Sequence, residues 1–294
     1  MTIWQAIILG IVQGLTEFIP ISSTAHLIFA SRLIDLFRGD AEQTTATIAV
    51  IQLGTLVAVF VYFATDIWHI SISFVRDHLA LLGIGERRYF QHRNSFRSSW
   101  MSDETWLGWL VLIGSIPVGT AGLALKKIIE GSATKNLWLI ATMMILIAVF
   151  LSLAEFIGSR RKEIKDLGIF DALSQGAAQC LALIPGASRS GSTIMAGLFA
   201  GQTRETAARF SFLLSIPAIT ASGLLELKEA YRILPADGWL PLAIGVLVAG
   251  VIGYASIWFL LWYLRKRSSA IFIVYRLILG GAILILLSLG FLRP

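Results

Sequence analysis

Charge is scarce in this chain. Only 14% of its 294 residues are Asp, Glu, Lys or Arg, against 56% that are apolar, and mean hydropathy is +0.76. A soluble domain carries about a quarter charged residues, so the composition excludes a water-soluble fold and points to an integral membrane protein. Cysteine is nearly absent. Cys180 stands alone, which excludes an internal disulfide and any cysteine-built metal site and leaves it as a small buried packing residue. The first five residues carry no basic group, and no small-residue cleavage site follows the first apolar run, so no cleaved leader is expected. A net charge of +6 could suggest nucleic acid, but there is no soluble basic domain for a duplex to dock on, and no nucleic-acid partner is expected. The basic residues lie instead in loops between apolar runs, as the positive-inside rule describes.

What is present is apolar sequence in long runs. Six of them, at roughly 46–75, 106–125, 136–157, 207–225, 239–262 and 270–291, reach the ~20 residues a bilayer requires. Two further segments, about 3–30 and 170–201, are apolar at both ends and interrupted in the middle, by Pro20 to Thr24 and by Pro185 to Thr193. Proline removes a backbone donor and disfavours helix before it. Such an interruption is tolerated at membrane depth only where it lines a cavity or is buried in protein. The reading is an all-α integral membrane protein: six spanning helices plus two re-entrant helix hairpins, in one membrane domain over 1–294.

Each half, about 1–157 and about 170–294, is then a broken hairpin followed by three spans. Ile19-Pro20 and Ile184-Pro185 lie 165 residues apart, and the same offset pairs Ser23 with Ser188 and Thr24 with Arg189. Three is an odd number of spans, so the second half is expected to be inverted relative to the first, an architecture known to bring broken helices together at the midplane. Loop charge sets the orientation. The side receiving the long 76–105 loop, the 158–168 loop, Arg204 and Arg265 to Arg267 is richer in Lys and Arg than the side receiving Arg32, Arg38, Lys126, Lys127, Lys135, Lys228, Arg232 and Arg293. The richer side is expected to be cytoplasmic, with both termini and the mouth of the first hairpin outside.

Ionisable residues inside a bilayer are costly and mark functional sites by default. In the first break, Pro20 followed by Ser22, Ser23 and Thr24 is helix-start chemistry, and a helix N-terminus offers free amides and a positive dipole end to an anion. His26 falls three residues after Ser23 on the same helix face, a spacing that suits a nucleophile and a proton-transfer partner or two phosphate contacts. Glu17 precedes the break, able to act as general base or to help hold a divalent cation with Gln13. In the second break, Gly186, Gly191 and the flanking serines permit a turn whose amides face an anion. Arg189 is its natural clamp, and Ser188, Ser190 and Thr193 add neutral donors. His69, His78 and His92 lie at a helix end or in the long loop and read as solvated.

At these two motifs the chain resembles the undecaprenyl-diphosphate phosphatase family, often called the bacitracin-resistance family. The residues that carry the likeness are Gln13-Gly14-Leu15-Thr16-Glu17 with Pro20-Ile21-Ser22-Ser23-Thr24-Ala25-His26, and Pro185-Gly186-Ala187-Ser188-Arg189-Ser190-Gly191-Ser192-Thr193. Length, hydropathy and the string Ile51-Gln52-Leu53-Gly54 extend it over the whole chain. The resemblance implies interlocking inverted repeats with re-entrant helices, a bacterial cell membrane as the location, and hydrolysis of undecaprenyl diphosphate to the monophosphate and phosphate; loop charge, as above, is what places the opening of the site on the outer, periplasmic face. The resemblance also implies dependence on a divalent cation, Mg²⁺ or Ca²⁺, and carries the family's roles onto Glu17, Ser23, His26 and Arg189, with Ser188 and Thr24 in support. Gln13 stands where many members have an acid, and Ala25 where glycine is common. For the nucleophile, Ser23, His26 and water all remain open. Assembly as a homodimer is an open expectation, and so is a transporter or flippase for phosphate or lipid phosphate that uses the same midplane residues.

Overall fold

The computed structural model describes residues 1–86, 89–90, 98–125, 136–233 and 238–292. Arg87, Arg88, His92, Arg93 and Arg97 on one side, and Lys126, Lys127, Lys135 and Arg293 on the other, therefore lie outside the described residues.

Among the described residues eleven α-helices follow one another, and the only β feature is an isolated bridge between Lys162 and Gln202. Helix α1 (Ile3–Phe18) starts at a capping box in which the Thr2 hydroxyl accepts from the Gln5 amide at 3.2 Å and the Gln5 side chain accepts from the Thr2 amide at 2.8 Å. It ends just short of Pro20. Helix α2 (Ser23–Leu33) completes the first hairpin. Asp40 caps α3 (Ala41–Tyr62), Ser102 caps α5 (Asp103–Ala124) and Asn136 caps α6 (Leu137–Ile157), each by accepting from amides of the first turn. Helix α4 (Ala64–Leu81) lies between α3 and α5. The second hairpin is α7 (Ile169–Cys180) and α8 (Arg189–Phe199), followed by α9 (Arg204–Ile233), α10 (Trp239–Lys266) and α11 (Ala270–Ser288).

Six of these are long and apolar enough to cross a membrane: α3, α5, α6, α9, α10 and α11. The first departs from the expected 46–75. The chain turns at Phe63, and α4 runs on separately, outside the six. No glycine or proline marks the turn. What holds it is tertiary: Phe63 is buried against Phe212, and Asp66, in the first turn of α4, accepts on both carboxylate oxygens from Nη2 of Arg209 on α9, at 2.7 and 2.8 Å.

The halves interlock. Helix α1 packs chiefly along α10, and α7 chiefly along α5, so each broken hairpin lies against the second span of the other half. Helices α3 and α9 pack on each other, as do α6 and α11. Both hairpin contacts are built from small residues. A side chain at Gly14 would come within 2.9 Å of the Ala249 carbonyl and the Gly253 amide on α10, and one at Gly176 would run into the Gly114 backbone on α5. In lipid, where helices gain little from hydrophobic burial against one another, this close backbone approach supplies the packing.

Helix α5 is in turn fixed to α4 by Asp77, which is buried and accepts from the Ser102 amide at 2.9 Å and the Thr105 hydroxyl at 2.7 Å, with Arg76 at 2.9 Å. Burial pushes the Asp77 carboxyl up, but the hydrogen bonds from Thr105 and Ser102 and the Arg76 guanidinium outweigh it and hold the pKa below the usual aspartate value.

Two outcomes follow from this packing. Gly176→Ala should lower the thermal midpoint of the purified protein by several degrees, an overpacking cost of about 1–3 kcal/mol. Gly281→Ala, which meets nothing within 4 Å, should leave it unchanged or slightly higher; equal midpoints for the two variants would contradict the packing. Because the Asp77 pKa is lowered on folding, its contribution is present at neutral pH and is lost as pH falls through the folded value, below the ordinary ~3.9. Asp77→Asn should therefore be less stable than the parent at pH 7, with the gap closing under strong acidification.

Candidate active site

Both breaks have the same local form. Each ends in a serine with positive φ that precedes a helix: Ser22 at 79° before α2, and Ser188 at 69° before α8. Non-glycine residues held in this region carry strain of about 1–3 kcal/mol and cluster at functional sites. By conformation, then, Ser22 corresponds to Ser188 and Ser23 to Arg189. This shifts the expected 165-residue correspondence by one, because the second turn contains one residue more between its proline and its serine.

The two helices begin at one carboxylate. Glu17, the next-to-last residue of α1, is 7% exposed. Its Oε1 accepts from Arg189 Nη2 at 3.0 Å, and its Oε2 accepts from Ser23 Oγ at 3.0 Å and from Gln13 Nε2 at 3.1 Å. Thus the first residue of α2 and the first residue of α8 meet on the same side chain, and residues 172 apart in sequence form a buried ion pair. The pair uses only one nitrogen of the guanidinium. Arg189 Nε and Nη1 are buried with no partner, as are Ser22 Oγ at the opposite cap and Ser192 Oγ one turn further along α8. Buried donors left open in this way are rare in native proteins and call for a ligand or ordered water.

His26 stands beside this group. Its Nδ1 is 2.7 Å from the Ser22 carbonyl oxygen, and its Nε2 is 2.6 Å from the Tyr275 hydroxyl. Of the remaining expected contacts, Thr24 is exposed at the mouth and Ser190 is fully buried, 3.5 Å from the Ile19 carbonyl. Ser188 uses its hydroxyl to cap α8 at the Gly191 amide, at 3.2 Å. The Thr193 hydroxyl is committed within the protein, to the Arg189 carbonyl at 2.8 Å and to Ser211 of α9 at 2.6 Å. Gly186 has φ +93°, and any side chain there would strike the Ile140 backbone of α6, so the turn and the close approach both require glycine.

One residue with a central place here is absent from the sequence motifs. Arg276 of α11 is fully buried and is the only charged residue in the run 270–291. It donates to the Gly186 carbonyl at 3.0 Å, to Ala187 at 3.1 Å and to Met144 at 3.1 Å, with longer contacts of 3.4 Å to Pro20 and Met143. One guanidinium therefore holds carbonyls of both breaks and of α6. An arginine inside an apolar span was the available signal. Among the histidines outside the site, His69 is exposed as expected. His78 is not solvated: its ring stacks on Phe74 at 4.2 Å, edges Trp100, and places Nδ1 2.6 Å from the Phe74 carbonyl.

Residues 6–282 match the family model described as Bacitracin resistance protein BacA. Curated relatives named undecaprenyl-diphosphatase are similar over essentially their whole length. That of Syntrophobacter fumaroxidans is 48% identical over 97% of both chains, that of Chlorobium phaeobacteroides 45% identical over 100% of both, and that of Mycolicibacterium vanbaalenii 43% identical over 97% of both.

Arg276 sets a stability test. In Arg276→Met the carbonyls of both breaks lose their donor, at about 1–3 kcal/mol for each buried group left unpaired. The thermal midpoint in detergent should fall sharply, and Arg276→Lys, with a single point of charge in place of the fork, should recover only part of the loss. A wild-type midpoint for Arg276→Met would contradict the bridging role.

Proposed function

The chain belongs to this bacitracin-resistance family, and from that premise we propose how its two breaks carry out the reaction. The protein is a multi-pass membrane hydrolase, an undecaprenyl-diphosphatase: it removes the terminal phosphate of undecaprenyl diphosphate, releasing inorganic phosphate and undecaprenyl phosphate. This recycles the lipid carrier of cell-wall synthesis, and resistance to bacitracin is a property of the family.

The diphosphate head lodges between the two breaks, where the open nitrogens of Arg189 await an anion. Phosphate oxygens arriving there accept from Nε and from Nη1, which flank the nitrogen already paired with Glu17. Ser22 and Ser192 add hydroxyl donors. Thr193, already spent on α9, steadies α8 and does not reach the substrate. Ser23 is the nucleophile. Its hydroxyl already donates to Glu17, so the proton leaves for the carboxylate as Ser23 Oγ bonds to the terminal phosphorus and the bond from that phosphorus to the bridging oxygen breaks. Undecaprenyl phosphate departs. Water then displaces the phosphate from Ser23, and Glu17 returns the proton to the serine oxygen. Positioning and electrostatics supply most of the acceleration in such transfers. The single observation that carries this reading is the shared carboxylate: Glu17 holds the proton of Ser23 on one oxygen and the phosphate clamp Arg189 on the other. His26 is a weaker nucleophile here, since both ring nitrogens are already within hydrogen-bonding distance of protein oxygens.

The donors fit a hard divalent cation, Mg²⁺ or Ca²⁺, only together with the diphosphate. Among the described residues no three acids, histidines or cysteines are grouped to hold one. The Glu17 carboxylate, joined by the Gln13 amide oxygen once that amide turns round, would hold the ion beside substrate oxygens, as Mg²⁺ is commonly bound. When bound, the ion would supply neutralisation of phosphate charge.

The reciprocal packing of each hairpin on the other half supports an inverted repeat with both breaks re-entrant. The richer basic loops favour a cytoplasmic position for the 158–168 side and a site open to the periplasmic face of the inner membrane.

Purified protein given a polyprenyl diphosphate and Mg²⁺ should release phosphate. Arg189→Ala and Glu17→Ala should each lose at least 10²-fold in kcat, the scale of removing one transition-state donor. Acid-stable phosphate trapped on residue 23 supports the serine route, whereas an acid-labile adduct on His26 overturns it.

A further inference from the structure

Consecutive residues of α11 hold the first break at both ends. Arg276 reaches the Pro20 carbonyl at 3.4 Å. Tyr275 reaches His26 Nε2 at 2.6 Å, and His26 in turn meets the carbonyl of Ser22 at 2.7 Å through Nδ1. Between those two carbonyls lies only Ile21, and immediately after them comes Ser23. We propose that Tyr275 is a positioning residue for the hydrolysis: its hydroxyl holds the His26 ring, whose neutral tautomer the Ser22 carbonyl sets, in one orientation, and through His26 holds the strained Ser22 cap that aims Ser23. The proposal rests on the phosphatase reading above.

The tautomer follows from the donors available. A carbonyl oxygen can only accept, so the nitrogen facing Ser22, Nδ1, carries the hydrogen. Nε2 is then the acceptor, and the Tyr275 hydroxyl donates to it. The imidazole and phenol rings lie almost parallel, 13° apart with centroids at 5.7 Å, so the phenol also limits rotation of the imidazole. This is the arrangement by which functional histidines are generally set, one ring nitrogen oriented by the bond the other makes.

The plainer reading is that a tyrosine on a lipid-facing helix has found a partner for its hydroxyl. Tyr275 is 41% exposed, between the exposed Ile271 and Ile278, and such residues often present a polar tip. That reading predicts nothing about His26. The orienting reading does, because Ser22 has φ 79° and no side-chain cap bond, and its carbonyl is held by the imidazole at 2.7 Å and by the longer bond from the His26 amide at 3.5 Å, so the imidazole is the shorter of the two restraints on the cap. A phenol suits the position better than an acid, since a carboxylate facing lipid would be costly.

The test uses the full-length protein in detergent with ¹⁵N-labelled histidine, the His26 resonance being assigned by its loss in His26→Gln. In the parent protein His26 should show a protonated Nδ1 and an unprotonated Nε2. In Tyr275→Phe, which removes one oxygen and keeps the ring, the Nε2 signal should shift as it loses its donor and should broaden as the ring gains freedom to turn. With a polyprenyl diphosphate as substrate, kcat should fall about tenfold, the worth of one hydrogen bond, with KM changed less than twofold. Three results would overturn the proposal: a parent His26 protonated at Nε2, a His26 signal unchanged in Tyr275→Phe, or an unchanged kcat. If the parent protein released no phosphate at all, the phosphatase reading would fail, while the Nε2 signal would still decide whether Tyr275 holds His26.

Discussion

A backbone interrupted at membrane depth must find partners for its own polar groups, and the rest of this structure depends on how that is done. Arg276 does it for both interruptions. It is a fully buried guanidinium with no carboxylate partner among the described residues, a state that ordinarily costs several kcal/mol in desolvation. Carbonyls of both breaks and of α6 offset that cost, and the same bonds relieve those carbonyls of going unpaired. The two problems solve each other. As a consequence the breaks cannot drift apart, and residues 172 apart in sequence can be matched at hydrogen-bonding distance. A buried positive charge beside the breaks also suits the diphosphate site proposed there.

Within that frame the site is balanced without substrate. Glu17 neutralises Arg189, and the two share the burial that either alone would find costly. The balance is incomplete, because Arg189 Nε and Nη1, Ser22 Oγ and Ser192 Oγ have no partner. Those open donors lie on the two breaks and their following helices. In the proposed reaction the carboxylate that holds the arginine also receives the serine proton, so a phosphate that draws on Arg189 would act directly on the base, and substrate binding and activation of Ser23 would be coupled through one side chain.

Much of this was legible in sequence because the signals are local. Proline and serine in an apolar run mark a break wherever it is packed, and Glu17, Ser23, His26 and Arg189 lie inside such breaks. The features that were not legible depend on tertiary contacts. The turn at Phe63 has no breaker residue and is made by Phe212 and by the Asp66–Arg209 pair. The correspondence of the breaks is set by backbone conformation at Ser22 and Ser188, and a single extra residue displaced it in a comparison of letters. Thr193 sits in the motif yet faces α9, which only the partner Ser211 reveals. Arg276 was visible as a charge within a span, but its function lies in carbonyls, which have no sequence signature. Tyr275 carries no sequence signature that separates it from other aromatics on lipid-facing helices; only its contact with His26 does.

The most direct measurement is a structure of the protein with a non-hydrolysable polyprenyl diphosphate analogue. A phosphate oxygen should lie within hydrogen-bonding distance of Arg189 Nε or Nη1, with the terminal phosphorus in line with Ser23 Oγ and Arg276 still on the carbonyls of Gly186 and Ala187. An analogue bound elsewhere, with Arg189 and Glu17 paired as before and the space between the breaks unchanged, would contradict the proposed site.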